Sequence, residues 1–249
     1  MGTIALFGGS GRIGQAIVRK LASRHRIRFT YWSQEDQSKA LARSLCEDGA
    51  DVEADQVDIR DAQAVDSFLA RSESIDGHLS GVLCATGSLF AVYPFQEAEF
   101  AEFRRVMELD VYGSFHIMQS AARRMALTGG GPIVVLLTAA ILRTAAYDGM
   151  SSIPKMAVGG MIRQLARDAG AMNIRCNGIA PGVVDTDKVD EIPNLPKYKR
   201  TLVENFMQDT VLRRYVDPNN IASLALWLLS DDATDISGQI IGADAGYSA

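Results

Sequence analysis

Thr3-Ile4-Ala5-Leu6-Phe7-Gly8-Gly9-Ser10-Gly11-Arg12-Ile13-Gly14 decides the fold. The first five residues are an apolar run rich in strand formers. After the glycines, residues 15–24 place Ile17, Val18 and Leu21 at a helical spacing. Strand, glycine-rich turn and helix in that order are the context that gives a glycine pattern meaning. Glycines at 8, 11 and 14 permit a tight turn and let main chain approach a ligand. The helix behind them offers free N–H groups and a positive dipole end, which attract a pyrophosphate. Gly8, Ser10, Gly11, Arg12, Ile13 and Gly14 are therefore the candidate phosphate-binding residues. A glycine-rich turn with a purely structural role would give the same pattern.

Composition narrows the class. The chain has 249 residues, 47% of them apolar and 22% charged, as in an ordinary soluble globular protein with a sizeable core. A net charge of -5 without a Lys/Arg run gives no support to a nucleic-acid or membrane-surface partner. No apolar stretch reaches the roughly 18 residues of a membrane span. The first strand begins at once, so no signal peptide is expected and the expected location is cytoplasmic. Cys46, Cys84 and Cys176 lack any paired spacing and read as free thiols. His25, His78 and His116 have no metal-ligand spacing, so no metal site is expected.

Outward from the glycine turn, strand and helix patterns alternate. Residues 26–32, 52–57, 79–85, 133–137, 173–179 and 239–242 read as six further strands. Helical patterns cover 36–48, 61–74, a long stretch 97–127, 151–169 and a last helix from Pro218. Leu79–Ala85 is almost uniformly apolar, as a strand covered on both faces must be. The expected fold is α/β: a single doubly wound parallel sheet of seven strands with helices on both faces, one domain over 1–249. Residues 183–212 have mixed polarity and read as a mobile substrate flap with a short helix around 198–209.

The end of the second strand is where such a fold reads an adenosine ribose. An acidic residue there favours the free 2′-OH of NAD. Here the chain runs Tyr31-Trp32-Ser33-Gln34, and the first acid is Glu35. With Arg12 in the phosphate turn and Trp32 and Ser33 at the ribose, NADP(H) is expected over NAD(H). Alternatively, Arg12 is only a solvated loop residue.

The chain resembles the short-chain dehydrogenase/reductase family over essentially its full length. The residues that carry the resemblance are Gly8-x-x-Gly11-x-x-Gly14, Asp58-Ile59, Ala85-Thr86-Gly87, Asn177 to Thr186, and Ser237 to Gly246. It implies Asp58 and Ile59 at the adenine, Ala85, Thr86 and Gly87 along the cofactor, and Pro181, Gly182, Val184 and Thr186 at the nicotinamide end. It also implies a small-molecule substrate and a homodimer or homotetramer, with the dimer face on the helices at 97–127 and 151–169.

The family's chemistry uses an asparagine, a serine, and a Tyr-x-x-x-Lys pair one helical turn apart. The lysine lowers the phenol pKa, and the phenol exchanges a proton with the substrate oxygen. In the matching positions this chain has Asp110, Thr138, Ser151 and Lys155. Only the lysine is retained. A serine hydroxyl is shorter and a far weaker acid than a phenol, so Ser151 alone cannot replace it. Lys155 can still bind the nicotinamide ribose hydroxyls, and Thr138 can still hydrogen-bond a carbonyl. Three readings follow. Hydride transfer persists with another proton donor, such as Tyr147, Tyr93 or a water between Ser151 and Lys155. Tyr147 is one step off the Tyr-x6-Lys spacing of the family's enoyl reductases. Alternatively the protein binds a cofactor or ligand without redox chemistry. In the third reading Asp110 and Lys155 serve a different acid/base reaction, although an Asp110–Lys155 pair could equally be a structural brace.

Overall fold

The computed structural model describes residues 2–185 and 195–249. Thr186 and the centre of the expected flap therefore lie outside the described residues. Seven parallel strands form one sheet: β1 (Thr3–Phe7), β2 (Arg26–Tyr31), β3 (Val52–Gln56), β4 (Leu79–Cys84), β5 (Gly131–Leu136), β6 (Ile174–Pro181) and β7 (Ile240–Ala243). Their order is β3-β2-β1-β4-β5-β6-β7. The helices are α1 (Arg12–Ala22), α2 (Glu35–Glu47), α3 (Ala62–Glu73), α4 (Phe100–Met107), α5 (Ser114–Met125), α6 (Gly149–Ala169), α7 (Lys197–Asp209) and α8 (Pro218–Leu229).

Period-two alternation in the strands sorts the core into two layers. Ile4 and Leu6 of β1 face Ile17, Leu21, Ile221 and Leu228 of α1 and α8. Ala5 and Phe7 face the opposite way, into a layer with Phe68, Ile117 and Ile162 of α3, α5 and α6. Both faces are apolar because both are covered, and this is why the central strands read as unbroken apolar runs. The strand order reverses direction at β1 and β4, so the loops after these strands diverge and leave a crevice between them.

The long helix expected over 97–127 is not regular. Between α4 and α5 the chain makes a π-helical turn, Glu108–Gly113. The turn inserts one extra residue without breaking the helix, a change of phase that often marks a functional position. Gly113 closes it against the loop after β3: a Cβ there would lie 2.6 Å from Ile59 Cδ1. His116, one turn later, donates from Nδ1 to the Ile59 carbonyl at 3.0 Å.

The glycine turn is built by close approach. A Cβ on Gly14 would sit 2.1 Å from the Gly8 carbonyl oxygen. Gly8 itself has φ +83°, and a Cβ on it would meet the Ala85 carbonyl at 2.7 Å. Gly14→Ala must therefore push α1 off the turn, at a cost of about 1–3 kcal/mol typical of overpacking. Urea unfolding checks this, and a midpoint equal to wild type would show that the turn yields freely.

Candidate functional site

A cleft of about 490 Å³ opens at the C-terminal ends of β1 to β4. Gly8, Ser10 and Gly11 form its floor, and Trp32, Ser33, Asp58, Ile59, Ala85, Thr86 and Gly87 line its walls. Most of the expected cofactor residues are thus brought together in one cavity. α1 starts at its base with Gly11 as N-cap and no side-chain cap on its first turn. The N-cap is a glycine, so no N-cap side chain covers the dipole end and first-turn N–H groups at the base of the cleft. Thr30 on β2 fixes the turn by accepting from Gly8 N at 3.2 Å. This arrangement fits a dinucleotide: its main chain could not come this close to a pyrophosphate with side chains at 8 and 14.

At the ribose end the cleft holds Trp32 and Ser33 beside Arg60. The Arg60 guanidinium lies 5.6 Å from the Trp32 ring centre, over its face. It also grips Asp58, with Nη2 donating to Oδ2 at 2.6 Å and Nε donating to Oδ1 at 2.9 Å. That hydrogen bonding holds the Asp58 carboxyl below the usual carboxylate range. Arg60 is the cation of this end, and the sequence reading passed over it although it stands two residues after Asp58.

Arg12 Nε donates to the Asp185 carbonyl, on the chain that follows β6. In the sheet order β6 lies three strands beyond β1 and β2 lies on the other side, so this contact is made on the β6 side of the glycine turn. A long side chain at the edge of a turn goes where a carbonyl is presented, and here the strap after β6 presents one. At that end Val184 pairs with Val216, and Gly182 N donates to the Ala243 carbonyl at 3.2 Å. Pro181 ends β6 beside Ala243 of β7.

The second half of the site centres on Lys155, buried on α6. Its Nζ donates to the Thr86 carbonyl at 3.1 Å and lies 3.4 Å from Asp110 Oδ2. Asp110 is 1% exposed. Its Oδ1 accepts from both Ser88 N and Ser88 Oγ, each at 2.8 Å. The π-turn aims Asp110 inward, so one carboxylate ties the loop after β4 to α6. These three contacts fit the structural-brace reading of Asp110.

Thr138 follows β5, half-buried, and its Oγ1 accepts from Ala140 N at 3.3 Å. That contact uses a lone pair and leaves the hydroxyl hydrogen to donate outward. Ser151 lies one helical turn before Lys155 on α6. The two tyrosines considered as proton donors each have a partner. Tyr93 donates its hydroxyl to Glu102 Oε2 at 2.6 Å, and burial together with that carboxylate raises its pKa. Tyr147, in a left-handed backbone conformation with φ 68°, packs its ring 5.1 Å from that of Tyr198 on α7. The residue beside it, Asp148, is a buried carboxyl that the sequence reading missed. Nothing in a loop-like Tyr-Asp-Gly stretch signals burial.

Comparison with known proteins agrees with this geometry. A family model described as enoyl-(acyl carrier protein) reductase matches residues 10–248. The chain belongs to the short-chain dehydrogenase/reductase family of oxidoreductases. A 7alpha-hydroxysteroid dehydrogenase of Escherichia coli is 35% identical over 146 residues, 59% of this chain and 55% of that enzyme. The chain thus matches about half the length of that relative. A 3alpha-hydroxysteroid dehydrogenase of Mediterraneibacter gnavus is 27% identical over 242 residues, covering 95% of this chain and 93% of the enzyme. A blue fluorescent protein from a metagenomic library, solved with NADPH, is 27% identical with a TM-score of 0.87, over 100% of this chain and 98% of that one. A NAD+-bound xylitol dehydrogenase shares the fold at 23% identity and a TM-score of 0.89, over 98% of each chain. Among the described residues no helix is long and apolar enough to cross a membrane.

Removing one half of the buried pair should be far worse than neutralising it. Asp110→Ala strands the Lys155 ammonium and should cost about 3–5 kcal/mol of stability. Asp110→Asn keeps an acceptor for Ser88 and should cost clearly less. Guanidinium unfolding of the two variants measures the difference, and equal losses would refute the brace.

Proposed function

We propose that the protein is an NADP(H)-dependent oxidoreductase that interconverts a carbonyl and an alcohol with an atypical proton-transfer set. One observation carries this reading. The start of α1 and the Trp32–Arg60 corner open onto one cleft, and Lys155 holds the carbonyl of Thr86 in its wall. In this reading Gly8, Ser10, Gly11, Ile13 and Gly14 receive the pyrophosphate. Asp58 and Ile59 flank the adenine, and Ala85, Thr86 and Gly87 run beneath the cofactor. Pro181, Gly182 and Val184 border the nicotinamide, and the family resemblance assigns Thr186 to the same end. The bound dinucleotide supplies or accepts a hydride.

Ser33 and Arg60 take the 2′-phosphate. The missing acid at the end of β2 supports NADP(H), as does the NADPH-bound relative. Lys155 holds the ribose hydroxyls, and Thr138 donates to the substrate oxygen. Ser151 stands where the family has its tyrosine. The relatives' names point to alcohols and ketones on apolar or polyol frames, and the substrate class proposed is correspondingly a small secondary alcohol or ketone.

A second reading, binding without hydride transfer, has one observation in its favour. Tyr93 is engaged with Glu102, and the Tyr147 ring packs on that of Tyr198. Restoring a phenol separates the two readings. Ser151→Tyr should raise ketone reduction at least tenfold in the oxidoreductase reading. No change, with the fold intact, would favour the binding one.

The cofactor assignment is checked by calorimetric titration with NADPH and NADH. NADPH should bind in the micromolar range and NADH more weakly. Arg60→Ala should weaken NADPH by about 1.5–3 kcal/mol, the worth of a charge-assisted hydrogen bond, and leave NADH nearly unchanged. Equal losses for both would remove Arg60 from the 2′-phosphate. A homodimer through α4 and α5 belongs to the same proposal. Phe100, Tyr112 and Phe115 are exposed there, with Phe100 75% accessible. Phe100→Arg with Phe115→Glu should give a monomer by light scattering, and an unchanged mass would move the interface elsewhere.

A further inference from the structure

Few side chains hold α7 to the rest of the molecule. Of its thirteen residues only Phe206 is buried. The Phe206 ring stacks on that of Tyr247 in the C-terminal tail, with centroids 3.9 Å apart and planes 21° apart. Tyr247 is 2% exposed. The Arg143 guanidinium lies over the same ring, 5.2 Å from its centre. Its Nη1 donates to the Tyr247 carbonyl at 3.1 Å, and its Nη2 lies 3.0 Å from Asp209 Oδ2, at the end of α7. One cation thus touches both the tail and the helix.

The tail is folded so as to make this contact. Asp244 is buried after β7, and its carboxylate accepts from Gly246 N at 3.0 Å and Ser248 N at 3.1 Å. Leu212 N, just past α7, donates to the Ala245 carbonyl at 3.0 Å. Gly246, with φ +84°, passes so close that a Cβ on it would lie 2.9 Å from Val211 Cβ.

What α7 rests on gives the contact its meaning. Phe206 and Tyr247 form one apolar cluster with Ala139 and Ala140, the two residues that follow Thr138, and Leu202 of α7 packs against it. Near the start of α7, the Tyr198 ring packs on that of Tyr147, four residues before Ser151. α7 is thus seated on the turn after Thr138 and on the chain leading into α6.

We propose that Tyr247 is a positioning residue for the reaction: through its stack on Phe206 the C-terminal tail fixes α7 against the Thr138 turn and so sets the room left for the substrate. This rests on the oxidoreductase reading given above, in which Thr138 donates to the substrate oxygen. Tyr247 acts through Phe206 and α7 and touches neither substrate nor cofactor. The stack outweighs the ion pair beside it. Arg143 and Asp209 are each 44% exposed, and an exposed pair contributes little. Two buried rings face to face exclude water and fix each other's orientation. Because α7 has no other buried side chain, losing the stack frees the whole helix. Arg143, Phe206 and Tyr247 are not among the residues lining the cofactor cleft, so the hold on α7 and the hold on the dinucleotide are separable.

Hydrogen exchange of the full chain, read by mass spectrometry without cofactor, tests the hold directly. Tyr247→Ala should speed exchange of the α7 amides by roughly tenfold and leave those of β1 and β4 unchanged. Tyr247→Phe keeps the stacked ring and should exchange as wild type. Tyr247→Leu fills the space without a ring face, a milder change for the fold, and should speed α7 by about threefold. Adding Phe206→Ala to Tyr247→Ala should speed α7 no further, since both break one stack. With NADPH and the vicinal diketone 1-phenyl-1,2-propanedione as probe, Tyr247→Ala should raise KM for the diketone roughly tenfold, with kcat within about threefold of wild type. NADPH affinity should not change, and Tyr247→Phe should restore the wild-type KM. A purely structural role would weaken β1 and β4 protection and NADPH affinity together with KM, and that pattern overturns the proposal. So does wild-type exchange of α7 in Tyr247→Ala, or an unchanged KM. Failure of the wild-type chain to bind NADPH overturns the oxidoreductase reading and the positioning role with it, whereas the tail's hold on α7 is decided by exchange alone.

Discussion

A single ammonium group organises the centre of this molecule. Lys155 Nζ is shared between the Thr86 carbonyl and the Asp110 carboxylate, and the other oxygen of that carboxylate holds Ser88. These bonds join the end of β4, the π-turn and α6, elements that are far apart in sequence. Burying such a pair is expensive unless it is well partnered, and here both carboxylate oxygens and the ammonium have partners. The crevice owes its shape to this knot. The loop after β4 forms one wall of the cleft, through Ala85, Thr86, Gly87 and Ser88.

Two buried aspartates show how one residue type meets two settings. Asp110 sits 3.4 Å from the Lys155 ammonium and also accepts from Ser88. Asp148 has no ion-pair partner among the described residues, and burial favours its neutral form. The division follows from surroundings alone, since the side chains are identical.

Much of the fold was legible because its causes are local or periodic. The run Thr3–Phe7, the glycines after it and the nearly uniform Leu79–Ala85 announce a parallel sheet covered on both faces. The cofactor cleft was legible for the same reason, since Gly8, Asp58 and Ala85 lie at strand ends. What escaped depended on long reach or on surroundings. Arg12 could have gone to either end of the cleft, and only the path of the strap after β6 decides between them. Asp148 looks like a loop residue until the kink at Tyr147 turns it inward. The π-turn leaves no trace in hydrophobic spacing beyond a slip of one residue, which reads as ordinary irregularity in a long helix.

That slip has a consequence for how the gene can vary. α4 and α5 are one rod wound in two phases, and the extra residue within Glu108–Gly113 sets the angle between them. Removing one residue there would rewind the rod as a plain α-helix. Everything on one side would then turn by about 100° relative to the other. Phe100, Val106 and the Asp110 carboxylate could no longer all keep their bearings. A single-residue deletion in this segment is therefore expected to damage the fold more than most substitutions there.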